Sequence, residues 1–195
     1  GWGAGTMACY PGPCQNWNFF AIDPLVRPIA VDPKLFTFMR DSAPAHTSIV
    51  LGDGRLSIAS LPAHSQDMIV VDAFGSDVIP VNLITHEAIS LYRSKLTSTG
   101  VLVFNISNQY VDLRSVLARE AEAAGMLSYV RDDGAISPAE AADEIFASTW
   151  MVMAPSRAVL NNLPSQSGWS QATAAPGTQL WTDDFSDVFS VLRWH

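Results

Sequence analysis

The sequence predicts an α/β fold in which a mostly parallel sheet is covered by helices on both faces. Three observations support this fold class: strand-sized segments are apolar throughout, helical patterns alternate with them, and three of the strands end at or near an acidic residue. The segments expected as strands are Trp17–Ile22, Thr47–Leu51, Asp67–Asp72, Val101–Ile106, Leu127–Arg131 and Ala147–Ala154. Ligands of such sheets bind at the carboxyl ends of the strands, so the acidic residues there become candidate site residues.

Helices are expected between these strands, where apolar residues recur at a spacing of three or four. In residues 110–124 the pattern predicts an amphipathic helix with Glu120 on its outer, polar face and Gly125 at its end. Residues 81–96 form another helical pattern, and Gly100 is expected to separate that helix from the next strand. The length of 195 residues, without an interdomain linker, suits a single domain over 1–195.

The composition excludes several classes of function. Only 11 Lys and Arg against 19 Asp and Glu give a net charge of −8, which argues against a nucleic-acid partner and favours a cationic ligand. The apolar runs have only strand length and the start lacks a signal peptide, so we expect a cytoplasmic location and no membrane segment in this fragment. Cys9 and Cys14 lack the further ligands of a metal site, so we expect ordinary thiols and no metal.

The glycine-rich start of the chain is the first sign of a nucleoside site. Gly1, Gly3 and Gly5 precede a short helical pattern, an arrangement that lets a ligand approach the backbone and a helix N-terminus. Asp23 follows Gly5 by 18 residues and closes a strand, where an acid accepts hydrogen bonds from ribose hydroxyls. It could equally cap the helix that starts at Pro24.

Two later strand ends add further candidates. Asp53, beside Gly54, could accept a hydrogen bond from an adenine amino group, or could cap the next helix. Asp72 is the candidate catalytic base, because a carboxylate there could hold a cationic amine and take a proton from it. Asp77 follows in the same loop and is expected to couple with Asp72, although both acids could simply stabilise the loop.

Six short segments carry a family resemblance. They are Gly-Trp-Gly-Ala-Gly-Thr at residues 1–6, Phe-Phe-Ala-Ile-Asp-Pro at 19–24, Leu-Gly-Asp-Gly-Arg at 51–55, Val-Val-Asp-Ala-Phe-Gly-Ser-Asp at 70–77, Val-Phe-Asn-Ile-Ser-Asn-Gln-Tyr-Val-Asp-Leu at 103–113 and Leu-Trp-Thr-Asp-Asp-Phe at 180–185. Together they resemble the spermidine synthase-like (polyamine aminopropyltransferase) family. The similarity is greatest to the branch in which this domain often follows a membrane-embedded segment.

The resemblance implies a Rossmann-like methyltransferase-type fold, with decarboxylated S-adenosylmethionine or S-adenosylmethionine as co-substrate. The glycine loop would cradle the donor's thioether tail, Asp23 would hold its ribose and Asp53 its adenine. Asp72 matches the family's proton-accepting aspartate. The acceptor would be a small cationic amine, putrescine or a similar polyamine, and the implied enzyme is an aminopropyltransferase of polyamine biosynthesis.

Several alternatives stay open. The fold also suits an S-adenosylmethionine-dependent methyltransferase of a small acceptor, or a non-catalytic remnant that binds the nucleoside. A hydrolase that uses Ser76 near His86 is a further alternative. The strand that should precede Gly1 in this fold is not in the sequence, so we expect a truncated N-terminus and a sheet without its first strand. Another copy of the chain could fill that gap, which makes a homo-oligomer one expectation.

Overall fold

A computed structural model of the chain describes most of the sequence in two compact units. The described residues are 6–10, 12, 14–32, 34–35, 47–73, 80–134, 142, 147–166 and 168–193. The first unit is Gly1–Leu61 and the second is Pro62–His195. The single domain expected over residues 1–195 stays a prediction.

The first unit contains a two-stranded parallel sheet. Strand β1 (Trp17–Ala21) pairs with β2 (Thr47–Leu51) in register, so that the carboxyl ends of both strands meet at one edge. A 3-10 turn covers Thr6–Cys9, and helices α1 (Val26–Ala30) and α2 (Gly54–Ala59) follow β1 and β2. The apolar core of this unit consists of Phe19, Ala21 and Ala30, with Met7, Trp17, Val26 and Ile49 packed against them.

The second unit contains a five-stranded sheet. Its strands are β3 (Gln66–Val71), β4 (Leu96–Asn105), β5 (Leu127–Asp133), β6 (Ser148–Ala154) and β7 (Trp169–Gln171). In the order β3-β4-β6-β5-β7, β3 is parallel to β4, while β6 is antiparallel to both of its neighbours and β7 is antiparallel to β5. Strands β3, β4 and β5 therefore run in one direction, in agreement with the predicted α/β class.

The second unit also contains the following helices and 3-10 turns. The helices are α3 (His86–Lys95), α4 (Arg114–Ala123) and α5 (Arg157–Leu160), and the turns cover Val81–Leu83, Leu163–Ser165 and Val188–Val191. Helix α3 begins where the Thr85 hydroxyl accepts a 3.3 Å hydrogen bond from the Ala88 N–H. Helix α4 ends as predicted before Gly125, whose φ of +67° is the left-handed conformation that glycine adopts most readily.

Glycine at position 100 has a different role from the one predicted. Gly100 does not separate a helix from a strand, because β4 begins at Leu96, directly after α3. A Cβ atom at position 100 would lie 2.9 Å from the carbonyl oxygen of Gln66 on β3. The register between the two strands shifts at this point, where Gln66 pairs with Leu96 and Met68 pairs with Val101. Glycine is therefore required by the close approach of two backbones at an irregularity inside the sheet.

The prediction for Glu120 on α4 was also wrong. Glu120 has no exposed surface, although the pattern placed it on the polar face of the helix. Its Oε1 accepts a 2.8 Å hydrogen bond from the backbone N–H of Trp181, a residue 61 positions later. The C-terminal segment thus covers this part of α4 and supplies a donor that makes burial of the carboxylate tolerable.

Candidate functional site

Asp23 and Asp53 occupy equivalent positions at one edge of the first unit. Ala21 and Leu51 are the last paired residues of β1 and β2, and each acid follows its strand by two residues. The Gly52 N–H donates a 2.9 Å hydrogen bond to the Ala21 carbonyl, which ties the two strand ends together. Asp23 and Asp53 thus lie just beyond the carboxyl ends of two neighbouring parallel strands, as the sequence predicted.

The Asp23 carboxylate shapes the turn that follows β1. Its Oδ1 accepts a 2.8 Å hydrogen bond from the Leu25 N–H, and the side chain is exposed. Helix α1 begins after Leu25, and no side chain caps its N-terminus. One of the two predicted roles of Asp23, as the cap of this helix, is therefore not observed. The Asp23 side chain instead closes a turn with the backbone of Leu25, two residues later.

Asp53 is the N-cap of α2. Its Oδ1 accepts a 2.9 Å hydrogen bond from the Leu56 N–H, and Gly54 is the first residue of the helix. One of the two predicted alternatives for Asp53, the capping role, is confirmed. Because an aspartate has two acceptor oxygens, this cap is compatible with a second partner such as an amino group.

Exposed apolar side chains lie beside both acids in the sequence. Ile22 and Leu25 flank Asp23 and are 75% and 67% exposed, and Leu56, in the first turn of α2, is 73% exposed. Adenosine needs an apolar surface for its flat base and acceptors for its hydroxyl and amino groups. The ends of β1 and β2 provide both kinds of group within the first unit.

Asp72 lies at the carboxyl end of β3 in the second unit. It directly follows Val71, which pairs with Phe104 on the parallel strand β4, and Asn105 directly follows Phe104. The Asn105 amide, through Nδ2, donates a 3.0 Å hydrogen bond to Oδ1 of Asp72, and both side chains are half-buried. The predicted base is therefore held at a strand end, where α/β proteins bind their ligands.

Asn105 itself is held by the loop that follows β4. The Ser107 N–H and hydroxyl donate hydrogen bonds of 3.1 and 2.6 Å to Oδ1 of Asn105. The Ser107 hydroxyl also accepts a 2.9 Å hydrogen bond from the Thr149 N–H on β6. Asn105 and Ser107 belong to a segment that carries the family resemblance, but the sequence analysis assigned neither of them a role. The signal for such a role was the position of Asn105 at the end of a strand that runs parallel to β3, the strand before Asp72.

The remaining predicted site residues fall outside the part of the chain that the structure describes. These residues are Gly1, Gly3, Gly5 and Asp77. Their roles in donor binding and catalysis therefore remain predictions. Ser76, the nucleophile of the hydrolase alternative, also lies outside the described residues, and His86 lies 3.4 Å from the buried Glu120.

Clusters of metal-ligating side chains and membrane-spanning helices are both absent from the part of the chain that the structure describes. No group of three or more His, Cys, Asp or Glu side chains among the described residues could hold a metal ion. Cys9 and Cys14 are exposed and are not joined in a disulfide. None of the helices described above is long and apolar enough to cross a membrane.

The fold of the chain is shared with solved structures of a methyltransferase-like protein and a probable spermidine synthase. The chain has the Rossmann-like methyltransferase-type α/β fold predicted from its sequence, which it shares with human methyltransferase-like protein 13 in complex with SAH. That match has a TM-score of 0.54 at 18% identity and covers 93% of this chain and 72% of the other. A probable spermidine synthase from Corynebacterium glutamicum ATCC 13032 matches with a TM-score of 0.65 at 18% identity, over 95% of this chain and 71% of the other.

The sequence itself is similar to an aminopropyltransferase. No family model matches the chain. The polyamine aminopropyltransferase of Vibrio vulnificus (strain CMCP6) is 36% identical over 96 residues, which are 48% of this chain and 30% of that enzyme. The match thus spans about a third of the length of the enzyme. The predicted resemblance to the spermidine synthase-like family is confirmed by this match and by the shared fold.

Proposed function

We propose that this chain carries out aminopropyl transfer from decarboxylated S-adenosylmethionine to a polyamine such as putrescine. The observation that carries the proposal is the position of Asp72 at the end of β3, hydrogen-bonded to the Asn105 amide. The identity of 36% to a polyamine aminopropyltransferase supports the choice of reaction.

The chemistry requires a nucleophilic amine and a base. The amine nitrogen of the acceptor attacks the propyl carbon bonded to the donor's sulfonium sulfur, and a C–N bond forms as the C–S bond breaks. The electron pair of the C–S bond stays on sulfur, which leaves as the neutral thioether methylthioadenosine. Asp72 accepts the proton that the attacking ammonium must lose, because only a neutral amine has a free electron pair.

The donor's nucleoside would be recognised by groups at the ends of β1 and β2. In the proposal Asp23 accepts hydrogen bonds from the ribose hydroxyls, Asp53 accepts one from the adenine amino group, and Ile22 offers apolar surface to the base. The glycines at 1, 3 and 5 would hold the thioether tail. Both donor and acceptor are cations, which suits a chain with a net charge of −8.

Calorimetric titration tests the nucleoside part of this proposal. The ligands are decarboxylated S-adenosylmethionine, S-adenosylmethionine and methylthioadenosine, added to the wild type, Asp23→Ala and Asp23→Asn. Asn can keep the turn to Leu25 while it loses a charged acceptor, so it separates recognition from local structure. We expect both variants to weaken binding by about tenfold or more, because each removes a charge-assisted hydrogen bond.

The titration also separates the competing functions. A preference for the decarboxylated donor favours aminopropyl transfer, and a preference for S-adenosylmethionine favours a methyltransferase. Binding without turnover of any amine indicates a non-catalytic nucleoside-binding domain. If none of the three ligands binds, or if both Asp23 variants bind as well as the wild type, the proposed nucleoside site is wrong.

A further inference from the structure

We propose that Asn105 is a positioning residue for Asp72 and that Ser107 sets the orientation of its amide. This inference rests on the proposed function, because it concerns the base of that reaction. It gives a role to two residues of the segment 103–113, which carries part of the family resemblance but was assigned no role there. Both lie in the second unit, as does Asp72.

The hydrogen bonds determine which end of the Asn105 amide faces the carboxylate. A backbone N–H can only donate, so the 3.1 Å contact from the Ser107 N–H requires an acceptor, which is the Asn105 oxygen. The amide nitrogen, with its two protons, must then point the other way, toward Oδ1 of Asp72 at 3.0 Å. The orientation of the amide thus follows from the chemistry of its donors and acceptors.

The Ser107 hydroxyl reinforces this orientation. Its oxygen accepts a hydrogen bond from the Thr149 N–H at 2.9 Å, so its own proton is directed to Oδ1 of Asn105 at 2.6 Å. The adjacent Ile106 N–H donates to the Thr149 carbonyl at 2.8 Å, which anchors this loop to β6. A continuous series of hydrogen bonds thereby connects the backbone N–H of Thr149 on β6 to Ser107, Ser107 to Asn105, and Asn105 to Asp72.

A neutral amide suits the partner of a catalytic base. A lysine or arginine at position 105 would form an ion pair with Asp72 and compete with the cationic amine for the carboxylate. The amide holds Oδ1 without adding a charge, and a carboxylate has a second oxygen that can accept the ammonium proton. Asn105 thus fixes the orientation of the Asp72 carboxylate and leaves the negative charge of Asp72 available to the cationic substrate.

Steady-state kinetics of single and double variants test the inference. Asn105→Ala should lower kcat by about 10- to 100-fold with little change in the KM of the donor, since misplacing a reacting group costs rate rather than nucleoside affinity. Ser107→Ala should lower kcat less, because the backbone N–H of residue 107 still holds the amide oxygen. Ser107→Thr keeps the hydroxyl and should restore the rate.

The double variant supplies the decisive comparison. In an Asp72→Asn background, Asn105→Ala should cause no further loss of kcat, because a positioning residue acts only through the group it positions. The matched control is Thr97→Ala, which removes a 3.2 Å contact to Asp67 between the same two strands at their other end. This control should leave kcat unchanged. If the losses from Asn105→Ala and Asp72→Asn multiply, the inference is wrong.

A measurement without turnover separates this inference from the proposed function. The side-chain NH₂ resonances of Asn105 in an NMR spectrum should shift in Asp72→Asn and in Ser107→Ala, but not in Thr97→Ala. Shifts of this kind in a protein that converts no amine support the positioning contact and reject the proposed reaction. Unchanged resonances in Asp72→Asn reject the positioning contact, whatever the activity of the wild type.

Discussion

The backbone N–H of Trp181 donates a 2.8 Å hydrogen bond to Oε1 of Glu120, a carboxylate with no exposed surface. The Trp181 carbonyl accepts a 2.7 Å hydrogen bond from the His86 N–H at the start of α3. The nearby Thr85 hydroxyl donates to Asp183 at 2.7 Å. The C-terminal segment is therefore joined to both α3 and α4 by polar contacts around a buried acid.

Removal of the Glu120 side chain should destabilise the protein. Glu120→Ala leaves the buried N–H of Trp181 without its acceptor, and we expect the free energy of unfolding to fall by about 2 kcal/mol. Glu120→Gln keeps an acceptor oxygen and should cost less. Urea denaturation measures both, with Glu122→Ala as the control, because Glu122 is exposed to solvent and its contacts, a 3.5 Å ion pair with Arg119 and a 3.3 Å hydrogen bond from the Ala174 N–H, are long. Equal losses in Glu120→Ala and Glu120→Gln would contradict this account.

The same carboxylate makes stability depend on pH. Burial raises the pKa of Glu120 above its ordinary value of 4.5, and the Trp181 N–H and His86 only partly oppose this. Because the folded pKa exceeds the unfolded one, the folded protein binds the proton more tightly. The stability that this proton contributes is fully present below pH 4.5 and is lost as the pH rises through the folded pKa.

Glu120→Gln isolates this contribution from that of the other acids. We expect the stability of the wild type relative to Glu120→Gln to decline as the pH is raised from about 4 toward neutrality. Denaturation curves of both proteins at several pH values measure the difference. A difference that stays constant, or that grows in favour of the wild type, is inconsistent with a raised pKa.

Asp53 allows structural and binding roles to be separated. Asp53→Ala removes the N-cap of α2 and should cost about 1 kcal/mol of stability, whereas Asn caps helices as well as Asp does. If the second Asp53 oxygen accepts a hydrogen bond from the adenine amino group, Asp53→Asn places an amide donor there instead. We therefore expect Asp53→Asn to keep the stability and to weaken nucleoside binding by about tenfold. If calorimetry shows that Asp53→Asn binds the nucleoside as tightly as the wild type does, Asp53 only caps the helix and does not bind the adenine.

Gly100 should tolerate no side chain. The Cβ atom of Gly100→Ala would lie 2.9 Å from the Gln66 carbonyl oxygen and 3.0 Å from the Leu96 side chain, so backbone of β3 or β4 must move. We expect a loss of about 2 kcal/mol, typical of overpacking. Ser98→Ala, at an exposed position of the same strand, is the control in a thermal denaturation series. Similar melting temperatures for the two variants would contradict the close approach.

The strand-end acids could be predicted because local sequence determines them. A short apolar run with an acid at its end requires no knowledge of distant partners, and in the structure Asp23, Asp53 and Asp72 follow β1, β2 and β3 directly or by two residues. Parallel pairing then brings the ends of neighbouring strands together. The fold class follows from the same alternation of apolar strands and helices.

The features that were missed depend on distant partners. Glu120 looked like a surface residue because its donor, Trp181, lies 61 positions away. Asn105 carries no charge, and its partner Asp72 is 33 positions earlier in the sequence. Gly100 was predicted to separate a helix from a strand, whereas its close contact with the Gln66 backbone arises only from the pairing of β3 with β4.

The most direct test of the central claim is a product assay on decarboxylated S-adenosylmethionine and putrescine, with methylthioadenosine and spermidine quantified by chromatography. The wild type should form both products in equal amounts. Asp72→Asn should form them at least about 100-fold more slowly while it binds the donor as tightly, because a general base contributes to the rate and not to nucleoside affinity. Absence of both products with the wild type, or equal rates for the wild type and Asp72→Asn, would contradict aminopropyl transfer with Asp72 as its base.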